Sequence, residues 1–268
     1  MNLHDYYEQE GLWGKAPEGP EADRVARTLE LIPEGVESVL DVGCGDGRLT
    51  NRLAETGRAT VGLDMSREAL SHVRVPRVLG SCDRLPFPAR SFDLVLCSEV
   101  LEHLPPAVYD RTRAELSRVA YRYVIVGTPF REQLKERFTR CPVCATTYHV
   151  YRHLRSFDVV TFADLLPGFH VERHRLCGDL RVPRSSLELR LRQDLGGAYP
   201  AVPTSVCPVC DHRGASATSW TPLAVLGEGL YRVRRRMAKP TAHWVVALLS
   251  RGSSPPEQGG PPRQRGTG

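Results

Sequence analysis

The feature that most constrains this chain is a glycine loop set into an alternating strand–helix pattern, Asp41-Val-Gly43-Cys-Gly45-Asp-Gly47. Short apolar runs recur on either side of it: Ser38 to Val42, Thr60 to Asp64, Arg77 to Leu79, Phe92 to Ser98 and Tyr123 to Gly127. Segments with helical patterning fill the gaps, Leu49 to Thr56, Ser66 to Val73 and Tyr109 to Val119, and another precedes them from Glu21 to Leu31. Runs that are apolar throughout, alternating with helices, are the signature of βαβ units around a parallel sheet. Three glycines between a strand and a helix let backbone amides approach a ligand closely at the helix start.

A glycine loop alone does not name its ligand, because dinucleotide-binding folds use the same device. Here the spacing is G-x-G-x-G, an aspartate (Asp41) sits inside the end of the first strand, and Asp64 closes the second, where a carboxylate can accept both hydroxyls of a ribose. Asp83 follows the third strand in Ser-Cys-Asp-Arg-Leu-Pro-Phe, within reach of an adenine amino group, and Phe92 onward reads FDLVLCSEVLEHL.

Taken in order, these motifs resemble the class I S-adenosylmethionine-dependent methyltransferases, in the broad subgroup typified by ubiquinone-biosynthesis enzymes. The likeness covers Ser38 to Pro129 strongly and the remainder weakly. It implies a Rossmann-like α/β fold with a seven-stranded sheet, whose sixth strand is Phe169 to Leu176 and whose antiparallel seventh is His243 to Ser250. It implies S-adenosylmethionine as cofactor, with Gly43, Gly45 and Gly47 along its methionine portion and Asp41 ordering the loop and the bound amino group. Asp64 would hold the ribose, Met65 would lie against the adenine, Cys82 and Asp83 would edge the ring, and Ser98 and Glu99 would sit under the sulfonium. Tyr6, Tyr7 and Trp13 would fold over the cofactor as a lid. Asp46 and Glu102 read as solvated helix-end residues, and Cys44 and Cys97 as small buried packing residues.

A second signal lies outside that pattern. Cys141-Pro-Val-Cys144 and Cys207-Pro-Val-Cys210 repeat one tetrapeptide, and two such pairs supply four thiolates for a tetrahedral zinc site. A single pair could be a redox dithiol, but duplication favours zinc. The first pair follows strand five and the second lies between strands six and seven, so zinc would staple two insertions together beside the carboxyl ends of the strands. The chain then divides into an N-terminal lid and helix (1–35), a cofactor-binding core (36–129), a first zinc-binding insertion (130–155), a core helix with strand six (156–177), an irregular second insertion (178–222), a C-terminal helix and final strand (223–251) and a disordered tail (252–268). The core helix is expected over Ser156 to Leu166.

Methyl transfer to an oxygen of high pKa benefits from a base near neutrality, which favours histidine. His103 is the first candidate, with His149 and His153 after the first cysteine pair behind it; either of the latter two could instead replace a cysteine on zinc. The acceptor is expected to be an oxygen or nitrogen of a small-molecule metabolite. Arg232, Arg234, Arg235 and Arg236 leave open an RNA or ribosomal methyltransferase whose zinc module docks nucleic acid, but no RNA-binding motif accompanies them and such a run usually marks a solvated helix face. A non-catalytic relative that binds the cofactor as a ligand is the third reading. Eight cysteines, no long apolar run and a polar start to the chain point to a cytoplasmic protein without a membrane span. The oligomeric state is open.

Overall fold

The computed structural model describes residues 6–14, 17–214 and 220–252; the expected tail beyond Gly252 lies outside them. In chain order the helices are α1 (Pro20–Glu30), α2 (Arg48–Ala54), α3 (Arg67–Ser71), α4 (Pro106–Val119), α5 (Ser186–Leu189) and α6 (Pro222–Met237), and the strands are β1 (Ser38–Val42), β2 (Ala59–Asp64), β3 (Arg77–Leu79), β4 (Phe92–Ser98), β5 (Ala120–Pro129), β6 (Phe138–Arg140), β7 (Thr147–His149), β8 (Phe169–Cys177) and β9 (Trp244–Arg251). Seven strands form one sheet in the order β3-β2-β1-β4-β5-β9-β8. The first five are mutually parallel, and β9 runs antiparallel between β5 and β8. The expected seven-stranded sheet and its antiparallel last strand are therefore present.

The period-two alternation of each central strand divides its side chains between two apolar layers. Leu40, Val42, Val95, Cys97, Val124, Val126, Val245, Ala247 and Leu249 face one layer, together with Leu116 and Val119 of α4. Val39, Leu94, Leu96, Ile125, Val246 and Leu248 face the other, covered by Val25 of α1 and by Leu49 and Leu53 of α2. Burying one such side chain fully contributes roughly 1.5–3 kcal/mol, so this partition fixes the register of every strand.

The helix expected over Ser156 to Leu166 does not form. That stretch is a series of turns. The Asp158 carboxylate accepts from the amides of Val160 and Thr161, an Asx-type turn that competes with helix start, and the β-branched run Val159-Val160-Thr161 adds to the bias. Phe157, Phe162, Leu165 and Leu166 nevertheless join the first apolar layer, and Arg113 of α4 donates to the carbonyls of Asp164 and Leu165. The segment fills a helix's place in the core without its backbone. The second insertion is more ordered than its composition suggests: α5 begins with a capping box between Ser185 and Glu188 and runs into a π-helical stretch, Arg190–Leu195. Its partner α6 starts at Pro222, earlier than its basic segment indicates, because Thr221 caps it.

Candidate functional site

The crevice lies at the carboxyl ends of β1, β2 and β4. The amides of Gly43 and Cys44 both donate to the Leu63 carbonyl, at 2.7 and 3.0 Å, tying the loop to β2. Gly43, Gly45 and Gly47 all have positive φ. A Cβ on Gly43 would fall on Val100 Cγ2, well inside van der Waals contact. Gly47 has a different task from the one expected: it is the N-cap of α2, held close to Asn51 and Val73, and it is absent from the crevice wall.

The two aspartates of the strand ends are buried there. Asp41 is 3% exposed and accepts from Thr50 Oγ1 at 2.7 Å; burial pushes its pKa up to about 7. Asp64 accepts from the amides of Gly45 at 2.8 Å and Ser66 at 2.9 Å, and burial raises it as well. Met65, Ser81 and Cys82 continue the wall beyond Asp64. Asp83 turns away. Its oxygens are taken by Ser81 Oγ and the Arg111 guanidinium, so the carboxylate expected at the adenine edge is engaged at the surface instead. Asp46 and Glu102 are not solvated: Asp46 accepts from the Gly14 amide and pairs with Arg48, and Glu102 is fully buried. Cys44 and Cys97 are buried packing residues, as expected.

The N-terminal aromatics close over this loop. Trp13 Nε1 donates to the Tyr7 carbonyl at 2.7 Å, and the Ser66 hydroxyl donates to the same carbonyl at 3.0 Å. The Trp13 ring stands against Gly45, where a Cβ would touch it. Arg24 of α1 reaches in from the opposite side, donating to Ser98 Oγ at 2.8 Å and lying over the Trp244 ring. Glu99, in a left-handed conformation at the end of β4, accepts from Trp244 Nε1 at 2.8 Å while its other oxygen is buried without a partner. The whole cavity is about 520 Å³, the size of a small-molecule site.

Its far wall is basic and imidazole-rich. His103 and His153 both line it, with Glu132, Arg137, Arg181 and His243. The His103 and His153 rings meet edge-on at 4.7 Å, and His149 stacks on His153 at 4.6 Å from behind. His149 itself is not at the cavity surface. Burial, then the neighbouring imidazoles, lowers His103 to about 3, so it is neutral at physiological pH; burial likewise lowers His243 to about 4. Glu132, Arg24, Arg137, Arg181 and Trp244 carry no motif, and only the fold brings them together. Glu132 follows strand five and sits three residues past Pro129, a position that points over the sheet end; that is the one signal that could have found it.

The two insertions meet at the cysteines. Cys141 Sγ lies 3.5 Å from Cys210 Sγ, and Cys144 Sγ lies 3.5 Å from Cys207 Sγ. All four sulfurs fall within 4.8 Å of one another, and among the described residues no histidine joins them. Both tetrapeptides adopt one knuckle: the following residue, Ala145 or Asp211, takes a left-handed φ and returns its amide to the carbonyl of Cys141 or Cys207 at 3.0 and 3.2 Å. On β7, Tyr148 packs against Cys141 and Cys207 while its neighbour His149 turns toward Glu132. Of the arginines on α6, Arg234 is held by Glu188 and the Pro183 carbonyl. Arg232, Arg235 and Arg236 are exposed beside exposed Leu226, Leu230 and Val233.

Residues 40–123 match the family described as methyltransferase domain. The chain is 32% identical over 141 residues to a probable S-adenosylmethionine-dependent methyltransferase of Mycolicibacterium smegmatis, covering 50% of this chain and 52% of that protein. It is 40% identical over 91 residues to a ubiquinone biosynthesis O-methyltransferase of Neisseria meningitidis, covering 29% and 38%. The chain thus spans about half or less of the length of the curated relatives it matches. In fold it is similar to the magnesium protoporphyrin IX methyltransferase of Synechocystis with bound S-adenosylhomocysteine, at a TM-score of 0.54 and 14% identity over 93% of this chain and 98% of that one. Sheet order and topology match the Rossmann-like fold of class I methyltransferases, and the glycine loop and strand-end aspartates fall within or beside the stretch that matches the methyltransferase domain family. No helix among the described residues is long and apolar enough to cross a membrane.

Proposed function

We propose that the chain transfers the methyl group of S-adenosylmethionine to an oxygen or nitrogen of a small-molecule metabolite, and that it carries one structural zinc on Cys141, Cys144, Cys207 and Cys210. The observation that carries the first part is the chemistry of the groups left exposed in the crevice. Asp64 keeps acceptor capacity toward a ribose beyond its two amide bonds. Asp41 is a buried carboxylate with only one side-chain donor, suited to an ammonium. Arg24 offers a guanidinium whose Nε is buried and unpartnered, suited to a carboxylate. These three charges complement the ribose, amino and carboxylate groups of the cofactor, whose activated sulfonium methyl is what it supplies when bound.

The chain's own work is alignment and exclusion of water. Gly43 and Gly45 let the loop approach, Met65 and Cys82 flank the base, and Ser98 and Glu99 underlie the reacting end. Trp13 and Tyr7 cover the crevice. The acceptor oxygen would stand between the reacting end and the imidazole wall, where His103, neutral at physiological pH, can take its proton, with His153 beside it and His149 behind. The small cavity favours a metabolite over RNA. A tritium-labelled methyl donor supplied with a panel of hydroxylated and aminated metabolites, and separately with total RNA, tests the reading: label should pass to a small molecule, and label found only in RNA would overturn it.

The sulfur cluster fits zinc on geometry. Four thiolates at Zn–S bonds of about 2.3 Å stand ~3.8 Å apart, close to the observed 3.5 Å contacts and far from a disulfide. A closed shell of four thiolates leaves no open position, so the role is structural, tying the first insertion, which carries His149 and His153, to the second.

A further inference from the structure

Two arginines reach the acceptor side of the crevice without a carboxylate of their own. Arg137 ends the short turn Leu134–Arg137 of the first insertion. Its carbonyl accepts the Val150 amide at 3.0 Å, and its guanidinium lies 5.9 Å over the Tyr151 ring. Arg181 belongs to the second insertion. It exchanges both backbone hydrogen bonds with Thr241, at 2.8 and 2.7 Å, which pins it beside the start of β9. Both side chains line the cavity, and no acid pairs with either among the described residues. Half-buried arginines elsewhere in the second insertion and on α6 are paired: Arg184 and Arg192 share Glu228, and Arg234 takes Glu188.

Arg181 is the less satisfied of the two. Its Nε is buried without a partner, and its Nη2 stands 3.5 Å from the carbonyls of Phe130 and His243, at the outer limit of a hydrogen bond. A guanidinium stays charged at physiological pH, and burying one unpaired is costly; burial accordingly pulls Arg181 below the ordinary arginine pKa. The acids within its electrostatic reach are already engaged. Glu136 pairs with Arg184, and burial at the end of β4 pushes Glu99 toward its neutral form. Burial also opposes the ionisation of Glu132, but His149 and His153 hold its pKa well below the usual range, so it remains an anion. Arg24 is set aside for the carboxylate of the cofactor. Two cations, Arg137 and Arg181, against the one anion Glu132 leave a single positive charge on this part of the wall.

We propose that Arg137 and Arg181 form an acceptor subsite for one carboxylate, so that the molecule methylated is an organic acid bearing its hydroxyl or amine away from that carboxylate. The inference rests on the methyl-transfer reading of the crevice and deepens it. The carboxylate is the anchor, and the methyl group passes to the hydroxyl or amine that faces the imidazoles. A single net charge matches a carboxylate better than a phosphate dianion, and guanidinium forks suit its two oxygens. Each arginine comes from a different insertion, and the sulfur contacts of 3.5 Å join the same two segments. The fold therefore sets the spacing of the two guanidiniums before the ligand arrives, which lowers the cost of binding.

Fluorine NMR on the full chain, saturated with adenosylhomocysteine in a buffer free of carboxylate and phosphate, tests the subsite. The rings of Tyr151, His243 and Trp244 also line the cavity, so 4-fluorobenzoate is the probe, with 4-fluorobenzamide and 4-fluorophenyl phosphate as its neutral and doubly charged counterparts. Wild type should bind the benzoate saturably, at least about tenfold tighter than the amide, and the phosphate more weakly than the benzoate. Arg137→Met and Arg181→Met should each lose at least about tenfold in benzoate affinity with the amide unchanged, and Arg181→Lys, which keeps the charge but not the fork, should fall between. Adenosylhomocysteine affinity and melting temperature, measured in parallel, report whether each variant is folded; Arg137→Met, on a surface turn, carries the test if Arg181→Met does not fold. Benzoate bound no tighter than the amide, or with unchanged affinity in the folded variants, would overturn the subsite. Phosphate bound as tightly as benzoate or tighter would overturn the single-charge assignment. A wild-type protein that binds adenosylhomocysteine but none of the probes refutes the subsite alone, whereas one that fails to bind adenosylhomocysteine refutes the cofactor reading instead.

Discussion

Replacing Gly43 by alanine isolates what the first glycine of the loop does. Gly43 has φ of 72°, and holding an alanine in that left-handed region costs ~1–2 kcal/mol. The added methyl also lands on Val100 Cγ2; overpacking of that kind adds ~1–3 kcal/mol. The two costs together are ~2–5 kcal/mol, read as lost stability in urea unfolding. They separate in a second background. Val100→Ala removes the atom that the methyl strikes, so Gly43→Ala made on Val100→Ala should cost only the backbone part, ~1–2 kcal/mol. Calorimetry on the same proteins should find weaker adenosylhomocysteine binding in Gly43→Ala and partial recovery in the double variant, because the displaced loop carries the Gly45 amide that orients Asp64. An equal cost in both backgrounds would refute the steric argument, and no cost in either would refute the left-handed requirement too.

Asp64→Asn keeps the shape but loses the charge, and should weaken adenosylhomocysteine binding by ~1–3 kcal/mol in calorimetry; unchanged affinity would remove Asp64 from the ribose. Folded Asp41, with its pKa near 7, keeps its proton to higher pH than the unfolded carboxylate at ~3.9. The ligand-free protein therefore loses stability as pH rises from about 4 to 7, by up to ~4 kcal/mol from this group, and carries the full penalty above 7. Asp41→Asn should accordingly stabilise the ligand-free protein at pH 8 and matter little at pH 4; urea titrations at the two pH values check the sign. Zinc measured by elemental analysis should fall by about one per chain in Cys144→Ser, with the insertions becoming protease-sensitive before the sheet; a zinc-free wild type with protected insertions would refute the staple.

The sheet was legible because each central strand is apolar on both faces and the glycine loop marks the strand–helix junction. The crevice was legible as far as backbone geometry dictates it: Asp41, Gly43, Gly45, Asp64, Met65, Cys82, Ser98 and Glu99 all reach the cavity wall. Side-chain competition set the limits. Asp83 has the right position but is captured by Arg111, a partner from α4 that spacing along the chain cannot reveal. Glu102 reads as a helix-end residue because it stands beside His103 in the turn after strand four, whereas the fold packs the first insertion against it, the Leu154 amide donating to its carbonyl. The segment around Phe157 has the apolar spacing of a helix, and the Asp158 side chain diverts its backbone into turns. The three histidines were visible singly; their stacking depends on the hairpin of β6 and β7, which two short strands in a loop-rich insertion do not announce.

Calorimetric titration of the full chain with adenosylhomocysteine, followed by a crystal structure of the complex, tests the central claim most directly. The account predicts one molecule per chain beneath Trp13, its ribose on Asp64, its amino group toward Asp41 and its carboxylate toward Arg24. A flat titration, with Trp13 still packed against Gly45 over an empty crevice, would contradict it.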